Sequence, residues 1–157
     1  MIDIDKETIE TDVLVVGGGI AGLMAAINAG AQGVHVIVAE KANTKRSGSG
    51  ATGNDHFVCY IPEIHGPGLR GDFIRENMSD LADEDLVCKF VDLSYHVLQK
   101  WESWGVNIKT NGHYEFTGHG WPGSSGKMGE PGKTDRTYIH FSDNDLCAKL
   151  EKQVTDK

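Results

Sequence analysis

Gly17, Gly18, Gly19 and Gly22 lie between the apolar run Val13 to Val16 and a helix-forming run that opens at Ile20. Residues of this type at this spacing can cradle a phosphate. Gly17 lets the chain turn tightly out of a strand, Gly19 lets backbone approach a pyrophosphate, and Gly22 lets the following helix pack on the sheet. A helix that starts near Ile20 presents unpaired N–H groups and the positive end of its dipole, both of which favour bound negative charge. Glu40 follows a second apolar run, Val34 to Ala39, and its carboxylate can accept hydrogen bonds from a ribose diol. Strand, glycine turn, helix, strand and terminal acid in this order point to a dinucleotide site. The plainer alternative is a glycine-rich turn in an ordinary βαβ unit.

The elements that must hold this site are short. Asp12 to Val16 reads as the first strand, Ile20 to about Ala29 as the first helix and Val34 to Glu40 as the second strand, with Gly30 and Gly33 as the break between them. Both strands are continuous apolar runs, the pattern of parallel strands covered on both faces by helices, so an α/β layer architecture is expected. From Lys41 to Gly71 the composition turns to Gly, Ser, Thr, Asn and Pro, which predicts a long irregular segment. Asp83 is a good N-cap for a long amphipathic helix, with Leu86, Phe90, Leu93, Val97 and Trp101 as its expected buried face and Gly105 as its stop. Trp101, Trp104 and His96 are read as packing residues of that helix.

Asn111-Gly112 suits the positive φ angles of a tight hairpin between Val106 to Thr110 and His113 to Thr117. Gly118 to Thr134 reads as a loop, Arg136 to Phe141 as a further strand, and Ser142 with Asp145 as an acidic capping box for a final helix.

The 157 residues suit one domain with a core that needs no disulfides. A net charge of −8 opposes nonspecific attraction to nucleic acid or anionic lipid, so neither is an expected partner. Cys59, Cys88 and Cys147 are widely spaced and odd in number, which fits a reducing compartment and gives no metal signature. No leader-like segment precedes Thr11 and no apolar run approaches the roughly 18 residues of a membrane span, so a soluble cytoplasmic chain is expected. His56, His65, His113, His119 and His140 can titrate near neutral pH, but each reads as a surface or structural histidine, and Asp83-Glu84-Asp85 reads as a helix start, not a metal site.

Thr11 to Gly22 followed by Glu40-Lys41 resembles the fumarate reductase and succinate dehydrogenase flavoprotein superfamily, which includes the adenylylsulfate reductase α subunit. Arg46-Ser47-Gly48 and Ala51-Thr52-Gly53-Asn54 look like the segment these flavoproteins place along the FAD pyrophosphate and isoalloxazine ring, and the Arg-Ser-Gly wording is closest to adenylylsulfate reductase. The resemblance implies a Rossmann-like FAD-binding domain with a parallel sheet plus a small β-hairpin. It assigns cofactor contacts to Gly17, Gly18, Gly19, Ala21, Gly22, Glu40, Lys41, Arg46, Ser47, Gly48, Ala51, Thr52, Gly53 and Asn54. Membrane-bound members carry a flavin-linked histidine where this chain has Gly48, which implies noncovalent FAD. Trp101 to Val106 is similar to the family's helix ending before a Gly-Val strand, whereas Ser142 to Leu146 lacks the Thr-Gly-His part of the family's turn.

Members of this group continue well beyond the length of this chain, so residues 1–157 are expected to be the N-terminal portion of a FAD-binding domain. The capping, catalytic and closing parts would then be absent, and the piece inactive by itself. No catalytic residue is assigned here. The function implied is flavin-dependent oxidoreduction of a small-molecule substrate, with an iron–sulfur electron-transfer subunit as a partner and no direct membrane insertion. A noncatalytic nucleotide-binding assembly subunit and an NAD-dependent reductase are the alternatives.

Overall fold

The computed structural model describes residues 7–51, 56–77, 83–117 and 137–156. In chain order the elements are β1 (Val13–Val16), α1 (Ile20–Gly30), β2 (Val36–Ala39), 3-10 turns at Thr44–Arg46 and Ser49–Ala51, β3 (His56–Val58), α2 (Pro62–Asn77), α3 (Glu84–Ser103), β4 (Lys109–Thr110), β5 (His113–Thr117), β6 (Tyr138–His140) and α4 (Leu146–Thr155). They form two compact units, Met1–Gly53 with Asn144–Lys157, and Asn54–Asp143.

In the first unit β1 and β2 pair in parallel, from Val13 opposite Val36 to Val16 opposite Ala39, with α1 as the crossover. The α1 helix packs on both strands and α4 packs on α1. Leu23, Ala26 and Ile27 of α1 and Leu146, Cys147 and Leu150 of α4 are buried. The α/β reading therefore stands, with one correction. Leu14 and Val16 are 58% and 82% exposed, so within the described residues only the face of β1 that carries Val13 and Val15 is covered. Apolar continuity records where a strand can be buried, and among the described residues the helices of this unit lie on one side.

The second unit is built on an antiparallel sheet in the order β3-β6-β5-β4 among the described residues. The expected hairpin is present, with Asn111 and Gly112 both at positive φ (51° and 81°), and β6 and β3 extend it into a four-stranded sheet. The Asp83 carboxylate caps α3 by accepting the Leu86 N–H at 3.0 Å. At the other end Gly105, at φ +82°, stops the helix: its N–H donates to the Glu102 carbonyl and the Val106 N–H to the Trp101 carbonyl, so the last carbonyls are satisfied.

The buried face of α3 differs from the expected one. Val91, Ser94, Leu98 and Trp101 are buried, while Leu86, Phe90 and Leu93 are 66%, 49% and 55% exposed. Two apolar stripes lie side by side on this helix, and periodicity alone does not choose between them. The chosen stripe includes Ser94, whose hydroxyl donates to the Val91 carbonyl and accepts the Tyr60 N–H, so a polar residue is accommodated inside the core. Trp101 packs edge-on against Phe57 and Phe141, with centroids 5.0 and 6.3 Å away, as its packing reading requires.

Two further expectations are corrected. The stretch from Lys41 to Gly71 is not irregular throughout, because it contains β3 and the start of α2, a helix kinked at Gly66 (φ 71°). Gly66 marks that kink, while Gly48 and Gly50 lie at the 3-10 turns. The expected Ser142 and Asp145 capping box does not form at α4: Asp145 is itself the N-cap and makes no side-chain cap hydrogen bond. The neighbouring Asp143 carboxylate accepts the Asn107 N–H at 2.7 Å. The loop expected over Gly118 to Thr134 lies outside the described residues, as does Arg136 of the strand now bounded by Tyr138–His140.

Candidate functional site

The site is built within the first unit where β1 gives way to α1. The Gly17 N–H donates to the Ala39 carbonyl at 2.8 Å and so prolongs the β1–β2 ladder by one step. At Gly17 the chain takes φ +103°, a conformation side chains oppose, and leaves the sheet. Gly19 is the N-cap of α1 and Ile20 its first residue. A Cβ on Gly22 would run into the Gly17 carbonyl oxygen, so the bare glycine is what lets the first turn of α1 sit on the strand exit. No side chain caps Gly19 and the first turn of α1 contains no acid, which leaves its positive end available to an anion.

Glu40 closes this turn from the end of β2. Its Oε2 accepts the Gly18 N–H at 2.6 Å and its Oε1 accepts the Ala42 N–H at 2.9 Å. Those two backbone donors, led by Gly18, and the Ser47 hydroxyl beside it hold the carboxyl below its ordinary value, so it is ionised at neutral pH. Each carboxylate oxygen has more than one acceptor site, so these bonds leave capacity for a ligand hydroxyl.

The segment after Lys41 folds back over the glycine turn. Asn43 starts its first 3-10 turn, its side chain accepting the Lys45 N–H and its carbonyl accepting the Arg46 N–H and the Ser47 hydroxyl. Ser47 is buried, so its hydroxyl serves the protein's own loop and Glu40, not an open surface. Gly48 sits at φ +74°, and a Cβ there would lie 3.3 Å from the Gly19 Cα. Gly50 packs against Ile20 in the same way. The close approach at Gly19 is thus made by the backbone of Gly48. Lys41, Arg46 and Ala21 are exposed and Ala51 is half-buried, while Thr52, Gly53 and Asn54 lie outside the described residues.

Sequence reasoning gave α4 no part in this site, yet α4 packs on both 3-10 turns. The Thr44 hydroxyl donates to the Glu151 carboxylate, and the Cys147 thiol lies 3.9 Å from the Ser47 carbonyl. No local signal ties residues so far apart in sequence. A cleft of about 300 Å³ lined by Ala26, Ile27, Val34, His35 and Val154 lies at the other end of α1, about 15 Å along its axis, and holds no cluster of chemical groups. No group of three or more His, Cys, Asp or Glu among the described residues is placed to hold a metal.

An uncapped helix start, a strand exit free of side chains and an ionised carboxylate at the end of β2 fit the pyrophosphate and ribose of a dinucleotide. The comparisons with known proteins agree. A family model described as a FAD binding domain matches residues 12–127. The 4-oxocyclohex-2-ene-1-carboxylate 5-dehydrogenase of Sinomonas cyclohexanicum is 34% identical over 94 residues, which is 55% of this chain and 15% of that protein. A tRNA 5-methylaminomethyl-2-thiouridine biosynthesis bifunctional protein of Marinobacter nauticus is 38% identical over 60 residues, 38% of this chain and 9% of that one.

Among solved structures, 3-ketosteroid-Δ4-(5α)-dehydrogenase of Rhodococcus jostii in complex with 4-androstene-3,17-dione superposes with a TM-score of 0.66 at 19% identity, covering 93% of this chain and 36% of its own. Mycobacterium smegmatis Sdh1 in complex with UQ1 gives 0.70 at 16% identity, with 93% and 24% covered. These two likenesses show the fold, and in all four cases the chain spans only a minor part of the relative's length. With the family model covering most of the chain, the protein belongs to the FAD binding domain family, in keeping with its resemblance to the fumarate reductase and succinate dehydrogenase flavoproteins.

Proposed function

We propose that this chain forms the FAD-binding part of a flavin-dependent oxidoreductase of the fumarate reductase and succinate dehydrogenase type. The observation that carries the reading is Glu40 bonded to the Gly18 N–H beside the uncapped start of α1, because it joins a ribose acceptor and a phosphate cradle in one small unit. Gly17 to Gly22, with Ala21 in the first helical turn, would hold the pyrophosphate, and Glu40 with Lys41 would hold the ribose end. Arg46 to Asn54 would lie along the flavin side. When bound, FAD supplies the hydride or electron acceptor. The chain's own part is to bind and orient: Gly48 offers no side chain to bond the flavin, which supports noncovalent attachment.

The relatives' greater length supports reading residues 1–157 as the N-terminal portion of the FAD-binding domain, with the parts that bind substrate and move its proton elsewhere in the protein. A small-molecule substrate and an iron–sulfur electron-transfer subunit are the partners this reading calls for. The free Cys59, Cys88 and Cys147 support a reducing, cytoplasmic setting. No helix among the described residues is long and apolar enough to cross a membrane.

Titration with FAD and, separately, with NADH tests the reading. FAD is expected to bind with the higher affinity and to be released intact on acid denaturation. Glu40→Gln should weaken it about tenfold, as expected for loss of a charged hydrogen-bond acceptor worth about 1.5 kcal/mol. Tighter binding of NADH, or an unchanged affinity in Glu40→Gln, would overturn the assignment.

A further inference from the structure

Thr44 is wedged between two elements that sequence reasoning does not connect. Its hydroxyl donates to the Glu151 carboxylate on α4, and its methyl lies where a Cβ on Gly18 would approach to 2.5 Å. Gly18 in turn donates its N–H to Glu40, so Glu151, Thr44, Gly18 and Glu40 form one line of contact from α4 to the nucleotide carboxylate. One turn earlier on the same helix, the Cys147 thiol lies against the Ser47 carbonyl, and the Ser47 hydroxyl stands beside Glu40. Two separate points of α4 therefore bear on Thr44, which touches Gly18, and on Ser47, which stands beside Glu40. Leu146, Cys147 and Leu150 are buried, which fixes the helix that carries both contacts.

We propose that α4 positions the nucleotide-binding segment, with Glu151 as the positioning residue that anchors Thr44 and thereby sets the seat of Glu40 and the Gly17 to Gly19 turn. A carboxylate accepting a hydroxyl proton makes a stronger, shorter bond than a neutral acceptor, which suits an anchor. Asn43 shapes the turn locally through its own bonds to Lys45, Arg46 and Ser47, but it does not tie the turn to a second element. That tie comes from Thr44 and Cys147. The inference rests on the FAD reading for its ligand and on the contacts alone for its geometry.

The test uses Thr44→Val, which keeps the shape and removes the hydroxyl, Thr44→Ser, which keeps the hydroxyl, Glu151→Ala and Glu151→Gln, and the pair Thr44→Val with Glu151→Ala. FAD dissociation constants and hydrogen exchange of the Gly18 and Ala42 amides in the ligand-free protein are measured on each. Thr44→Val and Glu151→Ala are expected to weaken FAD about tenfold and to speed exchange of both amides. The double variant should add nothing further, Glu151→Gln should fall between, and Thr44→Ser should stay near wild type. Fully additive losses, or a lowered melting temperature with unchanged Gly18 and Ala42 exchange, would show that Glu151 only stabilises the helix and would overturn the proposal. If the unaltered protein binds no FAD, the cofactor reading fails, and the amide exchange still decides whether α4 sets the turn.

Discussion

Glu40 is the residue on which the site turns, because one carboxylate holds backbone donors from two segments, Gly18 after β1 and Ala42 after β2. Its carboxyl lies below the ordinary 4.5, first through Gly18 and then through Ala42. A depressed folded-state value means that this contact adds stability above the ordinary value and loses it as the pH falls through the lowered one. Acidification through that lowered value should therefore reduce the protection of the Gly18 amide relative to its intrinsic exchange rate, followed by NMR, and Glu40→Gln should remove that dependence. The thiols give a second forecast at this scale. Burial pushes Cys59 up to about 12 and raises Cys147, while Cys88 is only half-buried. A thiol-alkylating reagent at pH 7 should mark Cys88 in the folded protein and reach Cys59 and Cys147 only on unfolding, as read by peptide mass analysis; early labelling of Cys59 would contradict its buried placement.

Among the elements, α3 separates periodicity from packing. Leu98 is fully buried and Leu93 is 55% exposed, so Leu98→Ala should cost about 2–5 kcal/mol of unfolding free energy and Leu93→Ala no more than about 0.5 kcal/mol, by denaturant titration. Equal losses would mean that the expected stripe, not the observed one, faces the core. What was legible at this scale is what local chemistry decides: the strand exit at Gly17, the Asp83 cap, the Gly105 stop and the Asn111-Gly112 turn. The face of α3 was not, since Val87, Val91 and Leu98 interleave with Leu86, Phe90 and Leu93 and only the partner surface selects a stripe. The α2 helix escaped notice because Gly66, Pro67, Gly68 and Gly71 erase its period, and the structure resolves the conflict with a kink at Gly66. At α4 the expected Ser142 and Asp145 box does not form, because Asp145 itself becomes the N-cap and makes no side-chain cap hydrogen bond.

At the scale of the whole molecule, the unit that holds the site is assembled from both ends of the chain, Met1–Gly53 and Asn144–Lys157. Its first part was legible because the glycines and Glu40 are close in sequence and the turn at Gly17, the helix packing at Gly22 and the acid after β2 each follow from a residue type. The contribution of α4 was not, because the Thr44 to Glu151 contact spans the entire second unit in sequence and leaves no spacing rule behind. Gly48 illustrates a middle case: its lack of a side chain was visible, whereas its φ of +74° and its approach to Gly19 needed the fold. The proposed role of this unit is to bind FAD at the Gly17 turn through Glu40. The most direct measurement is the absorption spectrum of the purified protein after addition of FAD, compared with Gly17→Val, followed by mass analysis of the cofactor released by acid. A bound flavin spectrum and intact FAD are expected for the natural chain, and no binding for Gly17→Val, because a valine is strained at φ +103°. Equal binding by both proteins would contradict that role.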